Sequence, residues 1–259
     1  MYPDSRLQNG NISIRGDNCN LNWTKGISLR KNSSDTWVTS LLCPENQSIS
    51  VKLLVNDTTW MMGANYVFVG KSGLIVNIFP SFDPSINPIV DTEPIKSKIL
   101  GNSRKLSIYY PPSYNDNPYK KYEVLLMHDG QNLFDPSKAA FGVAWMCQNT
   151  TNSLIVRGAI REIIIVGIWN TNQRNSEYTY SYDPSMKFGG KGDQYLDFIH
   201  TELIPHLETS VLQNRVINEN GYSIGGSSLG GLISCYAVYT RPKIFNKGVC
   251  MSSSFWWNS

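Results

Sequence analysis

The sequence predicts an α/β chain, with a doubly wound sheet over residues 93–259 preceded over residues 1–92 by an all-β sandwich of immunoglobulin-like kind. Three observations carry that expectation. Before residue 95 short β-type runs alternate with turn residues and no helical period is present. After it, apolar strand runs alternate with helical stretches, and between the two lies "SFDPSINPIVDTEPIKS", with the proline-rich composition of a linker.

The first region holds "GISLR", "TWVTSLL", "ISVKLLV", "NYVFV" and "GLIVNIF", each bounded by turn-forming residues. The second reads in order as the strands "KLSIYY" and "YEVLLMH", a weak helix across "VAWMCQNTTNSLIV", the strand "EIIIVGI", a helix across "DQYLDFIHTELIPHL", the strand "GYSIGGS", a helix after Ser228 and the strand "KGVCMSS". Near-continuous apolar strands alternating with helices predict a parallel sheet covered on both faces.

At "GGSSLGG", residues 225–231, the chain spells G-x-S-x-G around Ser228. The pentapeptide carries little by itself in a chain this rich in Gly and Ser. Its flanks decide, because a nucleophile elbow needs a strand before the serine and a helix directly after it. Leu229, Leu232, Ile233, Tyr236 and Ala237 recur with helical spacing, and Pro242 forbids continuation. In a doubly wound sheet, ligands sit beyond the carboxyl ends of the strands. There "LLMHDGQNLFD" leaves its strand through His128, Asp129, Gly130 and Gln131. A Gly-containing loop at that place can turn a backbone N–H into the cleft, where with that of Leu229 it would form a two-donor oxyanion hole; a plain turn is the competing reading.

A formal charge of +3 with scattered basic residues argues against nucleic acid, and no apolar run is long enough to span a membrane. The opening "MYPDSRLQNG" is too polar for a signal peptide. Five cysteines, at 19, 43, 147, 235 and 250, show no zinc spacing, so neither metal nor organic cofactor is expected. Cys19 and Cys43 either pair or remain buried thiols. Glycosylation acceptors at Asn11, Asn22, Asn32, Asn46, Asn56 and Asn149 favour secretion slightly.

Six ordered segments carry a family resemblance: "YYPPSY", "LLMHDGQNLFD", "IIIVGIWNTNQRNSEYT", "GGKGDQYLDFIHTELIP", "GGSSLGGLIS" and "SSSFWW". Over about residues 100–257 the chain resembles the α/β-hydrolase-fold esterases that include enterochelin esterase and feruloyl esterase domains. The resemblance implies Ser228 as nucleophile, Leu229 with Gly130 or Gln131 as oxyanion hole, and a substrate cleft lined by His128, Asp129, Arg174, Glu177 and Tyr178. The N-terminal region more loosely resembles starch-binding modules through "TTWMMGANYVF" and "GLIVNIFPSF", which implies a polysaccharide partner beside the ester substrate. Trp37 and Trp60 are open to two readings, core packing, which is the commoner fate of Trp, or exposed sugar-stacking platforms.

The family pattern also exposes a shortage. In this fold the acid and then the histidine follow the serine, yet no Asp, Glu or His follows Ser228. His128 is the only plausible substitute base, while His200 and His206 lie on the helix before the elbow and read as solvated or capping groups. Asp183, Asp193 and Asp197 read as capping or surface groups, and Trp256 and Trp257 as either cleft-floor or core aromatics. The expectation is therefore an esterase cut off before its last third; the rival is a carbohydrate-binding protein with a non-catalytic hydrolase remnant.

Overall fold

The computed structural model describes residues 1–217 and 221–257. They form two compact units: residues 1–87 with 111–120 and 150–162, and residues 88–110 with 121–149 and 163–259. The sequence boundary at 92/93 leaves out the two later segments of the first unit. Asp116 shows why one of them belongs there: its carboxylate accepts hydrogen bonds from the Tyr2 hydroxyl and the Ser81 hydroxyl, both at 2.7 Å. Such contacts, across 114 and 35 residues, leave no local trace.

In the first unit β1 (Ile12–Gly16), β2 (Ile27–Ser28), β5 (Ser48–Val55), β6 (Thr59–Trp60) and β7 (Tyr66–Val69) build one antiparallel sheet, and β3 (Arg30–Ser33) pairs with β4 (Thr36–Val38). Alternation in "SISVKLLV" sends Ile49, Val51 and Leu53 into a core with Ile12, Ile14, Leu21 and Met61. Helix α1 (Ser113–Asp116) also lies in this unit. "GLIVNIF" is not a strand: residues 73–79 are irregular, and Ile75 is exposed. Cys19 and Cys43 are joined in a disulfide.

The second unit is built on a six-stranded sheet, into which the proline-rich linker sends its own edge strand, β8 (Val90–Asp91). A short ladder of β9 (Ile95–Lys96) and β10 (Ser103–Arg104) follows, then β11 (Leu106–Tyr109), β12 (Glu123–His128), β13 (Ile163–Ile168), β16 (Tyr222–Ser227) and β17 (Phe245–Met251). The strands lie in the order β17-β16-β12-β13-β11-β8. A wholly parallel sheet is corrected here: β12, β13, β16 and β17 run parallel, but β11 is antiparallel to β13 and β8 antiparallel to β11. The reason is local, since β9 to β11 follow one another with no crossover helix, which parallel pairing requires. The β14–β15 ladder (Tyr182–Asp183 and Phe188–Gly189) stands apart.

Helices α2 (Cys147–Val156) and α3 (Arg174–Glu177) precede a helical stretch over residues 192–211. That stretch begins as α4 (Gly192–Phe198), widens over Ile199–Leu203, tightens at α5 (Ile204–His206) and widens again. Pro205 has no amide hydrogen to give, and the Ile204 amide donates five residues back to Ile199. Tyr195, Phe198, Ile199, Leu203 and Leu207 are buried from it. Helix α6 (Leu229–Thr240) follows the elbow, and a disulfide ties its Cys235 to Cys250 of β17. Among the described residues β17 has a strand neighbour on one side only.

Candidate active site

Strand β12 pairs with β16 in register from Leu125 against Ser223 to Met127 against Gly225, so both chains leave the sheet side by side at its carboxyl end. There the backbone of Ser228 adopts φ 57° and ψ −122°, a conformation that L-residues rarely hold, and its side chain is exposed. This is the strained strand-to-helix turn expected of a nucleophile elbow. Clearance comes from glycine: a Cβ on Gly226 would stand 2.9 Å from the carbonyl carbon of Gly230, and one on Gly231 2.5 Å from Ser253 Oγ. The turn is pinned from below, where the Ser228 amide donates to Met251 O at 3.0 Å and the Ser254 amide donates to Ser228 O at 3.2 Å. The Ser228 and Ser254 hydroxyls lie 3.0 Å apart.

Leu229 is the first residue of α6 and no side chain caps the helix. The earliest intrahelical donor is Leu232, to Ser228 O, so the amides of Leu229, Gly230 and Gly231 have no partner within the helix. The helix dipole adds partial positive charge at the same end.

The other loop is held by Asp129, which is left-handed at φ 56° and starts the 3-10 turn Gly130–Asn132. Arg174 donates to both Asp129 oxygens, Nε to Oδ1 at 2.7 Å and Nη2 to Oδ2 at 2.8 Å, while Asn170 Nδ2 donates to Oδ1 at 2.7 Å. Gly130 is buried against β13, where a Cβ would stand 2.3 Å from the carbonyl carbon of Gly167. Gln131 is half-buried, its Oε1 accepting the Asn170 amide at 3.3 Å. The loop touches the elbow, since a Cβ on Gly230 would lie 3.2 Å from His128 Cβ and 3.5 Å from Asp129 Oδ2.

Three residues expected to line the cleft are buried. His128 and Tyr178 are 0% exposed and Glu177 is 1%. His128 Nδ1 shares a hydrogen bond with the Tyr195 hydroxyl at 3.0 Å, its ring packs against Tyr178 and Tyr195, and its Nε2 has no partner. Burial pushes this imidazole down to about 4. The ring is fully buried, and its hydrogen bond is made to Tyr195. The Tyr178 hydroxyl accepts the Asp129 amide at 3.3 Å, and burial raises it far above the ordinary tyrosine range. Glu177 takes Nη2 of the fully buried Arg104 at 2.8 Å and Asn102 Nδ2 at 2.7 Å. Arg104 stacks over Phe198 and Tyr195, 4.9 and 5.3 Å from their ring centroids. Arg174 and Glu177 are therefore not paired with each other; each serves a separate ion pair.

Other residues settle simply. Asp193 does not cap α4 but, with Asp197, binds Arg241. Asp183 accepts from the Ser185 hydroxyl within its turn. Trp256 is exposed, whereas Trp257 is buried and donates to Ser181 O at 3.1 Å. His200 is exposed and His206 half-buried.

The first unit carries a tryptophan pair of which the sequence singled out only Trp60. Trp23 and Trp60 are 37% and 40% exposed, with ring centroids 6.2 Å apart and planes at 37°. The Arg15 guanidinium sits 5.3 Å from the Trp60 ring centroid, donates to Trp23 O at 3.2 Å and pairs with Asp57 at 2.9 Å. Core packing thus fits Trp37, which lies half-buried against the first-unit core, but not Trp60. Trp23 had a legible signal in its Asn-Trp-Thr setting between polar residues. Among the described residues no group of three or more His, Cys, Asp or Glu could hold a metal, and no helix is long and apolar enough to cross a membrane.

Known proteins are similar to this chain. The family model described as "Putative esterase" matches residues 97–259. The uncharacterized protein YbbA of Bacillus subtilis (strain 168) is 30% identical over 168 residues, which cover 63% of this chain and 62% of YbbA. The IroE-like serine hydrolase from Shewanella oneidensis superposes with a TM-score of 0.55 at 25% identity, over 66% of this chain and 52% of that one. The enterobactin esterase FES from Shigella flexneri gives 0.53 at 16% identity, a likeness of fold that covers 96% of this chain and 67% of its own. The chain spans less than two thirds of YbbA's length. With the elbow at Ser228, the mixed sheet beneath it and a family match over most of the second unit, the chain belongs to the esterase family of the α/β-hydrolase fold.

Proposed function

We propose that this chain is a serine carboxylic-ester hydrolase acting on carbohydrate-linked esters, with an immunoglobulin-like N-terminal module that holds the carbohydrate. The observation that carries the reading is the left-handed backbone of Ser228 at the start of an uncapped helix. Its Oγ bonds to the ester carbonyl carbon as the hydroxyl proton passes to water. The carbonyl pair moves onto oxygen, where hydrogen bonds from the Leu229 amide and from an amide of Gly130 or Gln131 stabilise it, and collapse expels the alcohol before water releases the acid. Loss of one such donor costs about 3 kcal/mol of transition-state stabilisation. Trp23 and Trp60 support the carbohydrate part, because exposed indoles with a guanidinium behind them suit stacking on a sugar ring better than burial. An enterobactin-type ester, after the name of the Shigella flexneri enzyme, is the natural competitor substrate.

One observation favours a second reading. Among the described residues the only side-chain partner of Ser228 Oγ is Ser254, and His128, at the end of the neighbouring strand, is buried and bonded to Tyr195. A serine without an imidazole is a poor nucleophile. On this reading the chain binds carbohydrate and its hydrolase unit is a remnant. A fluorophosphonate probe separates the two. Labelling and p-nitrophenyl acetate hydrolysis that both vanish in Ser228→Ala support the hydrolase, whereas an unlabelled protein that still binds starch supports the remnant.

A further inference from the structure

We infer that this chain is N-glycosylated and folds in an oxidising, secretory-type compartment. Two independent observations meet here, neither of which enters the reading of Ser228. The first is the placement of the acceptor motifs. All six Asn-x-Ser/Thr asparagines, Asn11, Asn22, Asn32, Asn46, Asn56 and Asn149, are exposed, so each is within reach of a transferase. The second is the state of the cysteines. Four of five are joined, Cys19 to Cys43 and Cys235 to Cys250, one bridge in each unit, and Cys147 alone is free. Bridges of this kind persist where thiols are not kept reduced.

The six sites differ in readiness. Asn11 Nδ2 donates to Ser28 Oγ at 3.2 Å, Asn22 Oδ1 accepts from the Thr24 and Lys25 amides at 3.0 and 2.8 Å, and Asn56 Oδ1 accepts the Asn11 amide at 2.9 Å. The side-chain amides of Asn32, Asn46 and Asn149 bond to no described residue, so they stand free on β3, in a turn and in the first turn of α2. These three are the primary sites. The donor is a lipid-diphosphate-linked oligosaccharide: asparagine Nδ2 bonds to the sugar C1 as the C1–O bond breaks, the lipid diphosphate departs with that electron pair, and the amide proton passes to a base of the transferase. The linked amide keeps its oxygen and one N–H, which leaves the hydrogen bonds of Asn22 and Asn56 intact.

The test uses the protein isolated from the cells that make it. Enzymatic deglycosylation in 18O-water converts a glycosylated Asn to a tagged Asp, and alkylation before and after reduction counts free thiols. Tagged aspartate at positions 32, 46 and 149, with Cys147 alone alkylated before reduction, is the expected result. Unmodified asparagine at all three positions overturns the inference, as does alkylation of all five cysteines without reductant. Each Asn→Gln substitution at the three positions removes one glycan from the intact mass.

Discussion

Arg174 grips Asp129 through two parallel hydrogen bonds, and Asp129 in turn sets the direction of the loop that carries Gly130 and Gln131. The pair is partly buried, with 27% and 11% of the side chains exposed. A forked guanidinium fits a carboxylate in a way an ammonium cannot. Arg174→Ala leaves Asp129 with Asn170 as its remaining side-chain donor and is expected to cost about 2–3 kcal/mol in urea denaturation. Arg174→Lys recovers only part of this. If Ser228 reacts with a fluorophosphonate, its labelling rate falls in the same order; equal stability of all three proteins would show that the grip is incidental.

His128 makes stability depend on pH. Its folded value is about 4, below the 6.5 of the free side chain, because burial disfavours the charged ring. Above pH 6.5 both states are neutral and the contribution is whole. As pH falls towards 4 the unfolded chain takes up a proton that the folded one refuses, and stability is lost by about 3 kcal/mol. Denaturation midpoints between pH 7.5 and pH 4.5 should fall steeply in the native protein and less in His128→Gln. An unchanged slope in the variant would assign the effect to other groups.

The backbone of Ser228 is strained, and glycine holds that conformation without penalty. Ser228→Gly is expected to raise stability by about 1 kcal/mol while abolishing any probe labelling. A destabilised variant would mean that the hydroxyl contact to Ser254 outweighs the strain.

Gly130 and Gly167 meet backbone to backbone. Gly130→Ala must displace main chain rather than a flexible side chain, so a loss of about 3 kcal/mol is expected, at the upper end for overpacking. Thermal unfolding reads it directly, and a variant as stable as the native protein would show that the loop yields.

Trp60→Ala should weaken starch binding roughly tenfold, the effect of losing about 1.4 kcal/mol of stacking. Stability changes little, since the indole is already 40% exposed. Trp37→Ala, taken from the edge of the core, should show the reverse pattern. Pull-down and thermal melts together distinguish the two.

Where structure depends on neighbours in the chain, the sequence was readable. The run from Tyr222 through Ser228 into α6 is local, and its glycines mark the turn. The strand-helix order of the second unit followed from the same kind of signal. Long-range pairing was not readable. Asp129 and Arg174 lie 45 residues apart, Arg104 and Glu177 lie 73 apart, and nothing in "HDGQ" or "NSEYT" announces which carboxylate each arginine takes. Burial was also hidden: His128 at a strand end looks like a cleft residue until Tyr178 and Tyr195 close over it. "GLIVNIF" has every local mark of a strand but lacks a partner, and a strand is defined by its partner.

The lopsided pairing of β17 has a consequence for handling the protein. Among the described residues one flank of Phe245–Met251 pairs with no strand, with Lys247 its single charge and Val249 exposed. Another chain laid along that flank would lengthen the sheet without any new side-chain match. Solutions should therefore cloud with rising concentration sooner than with rising temperature, and a second lysine on that flank should keep them clear.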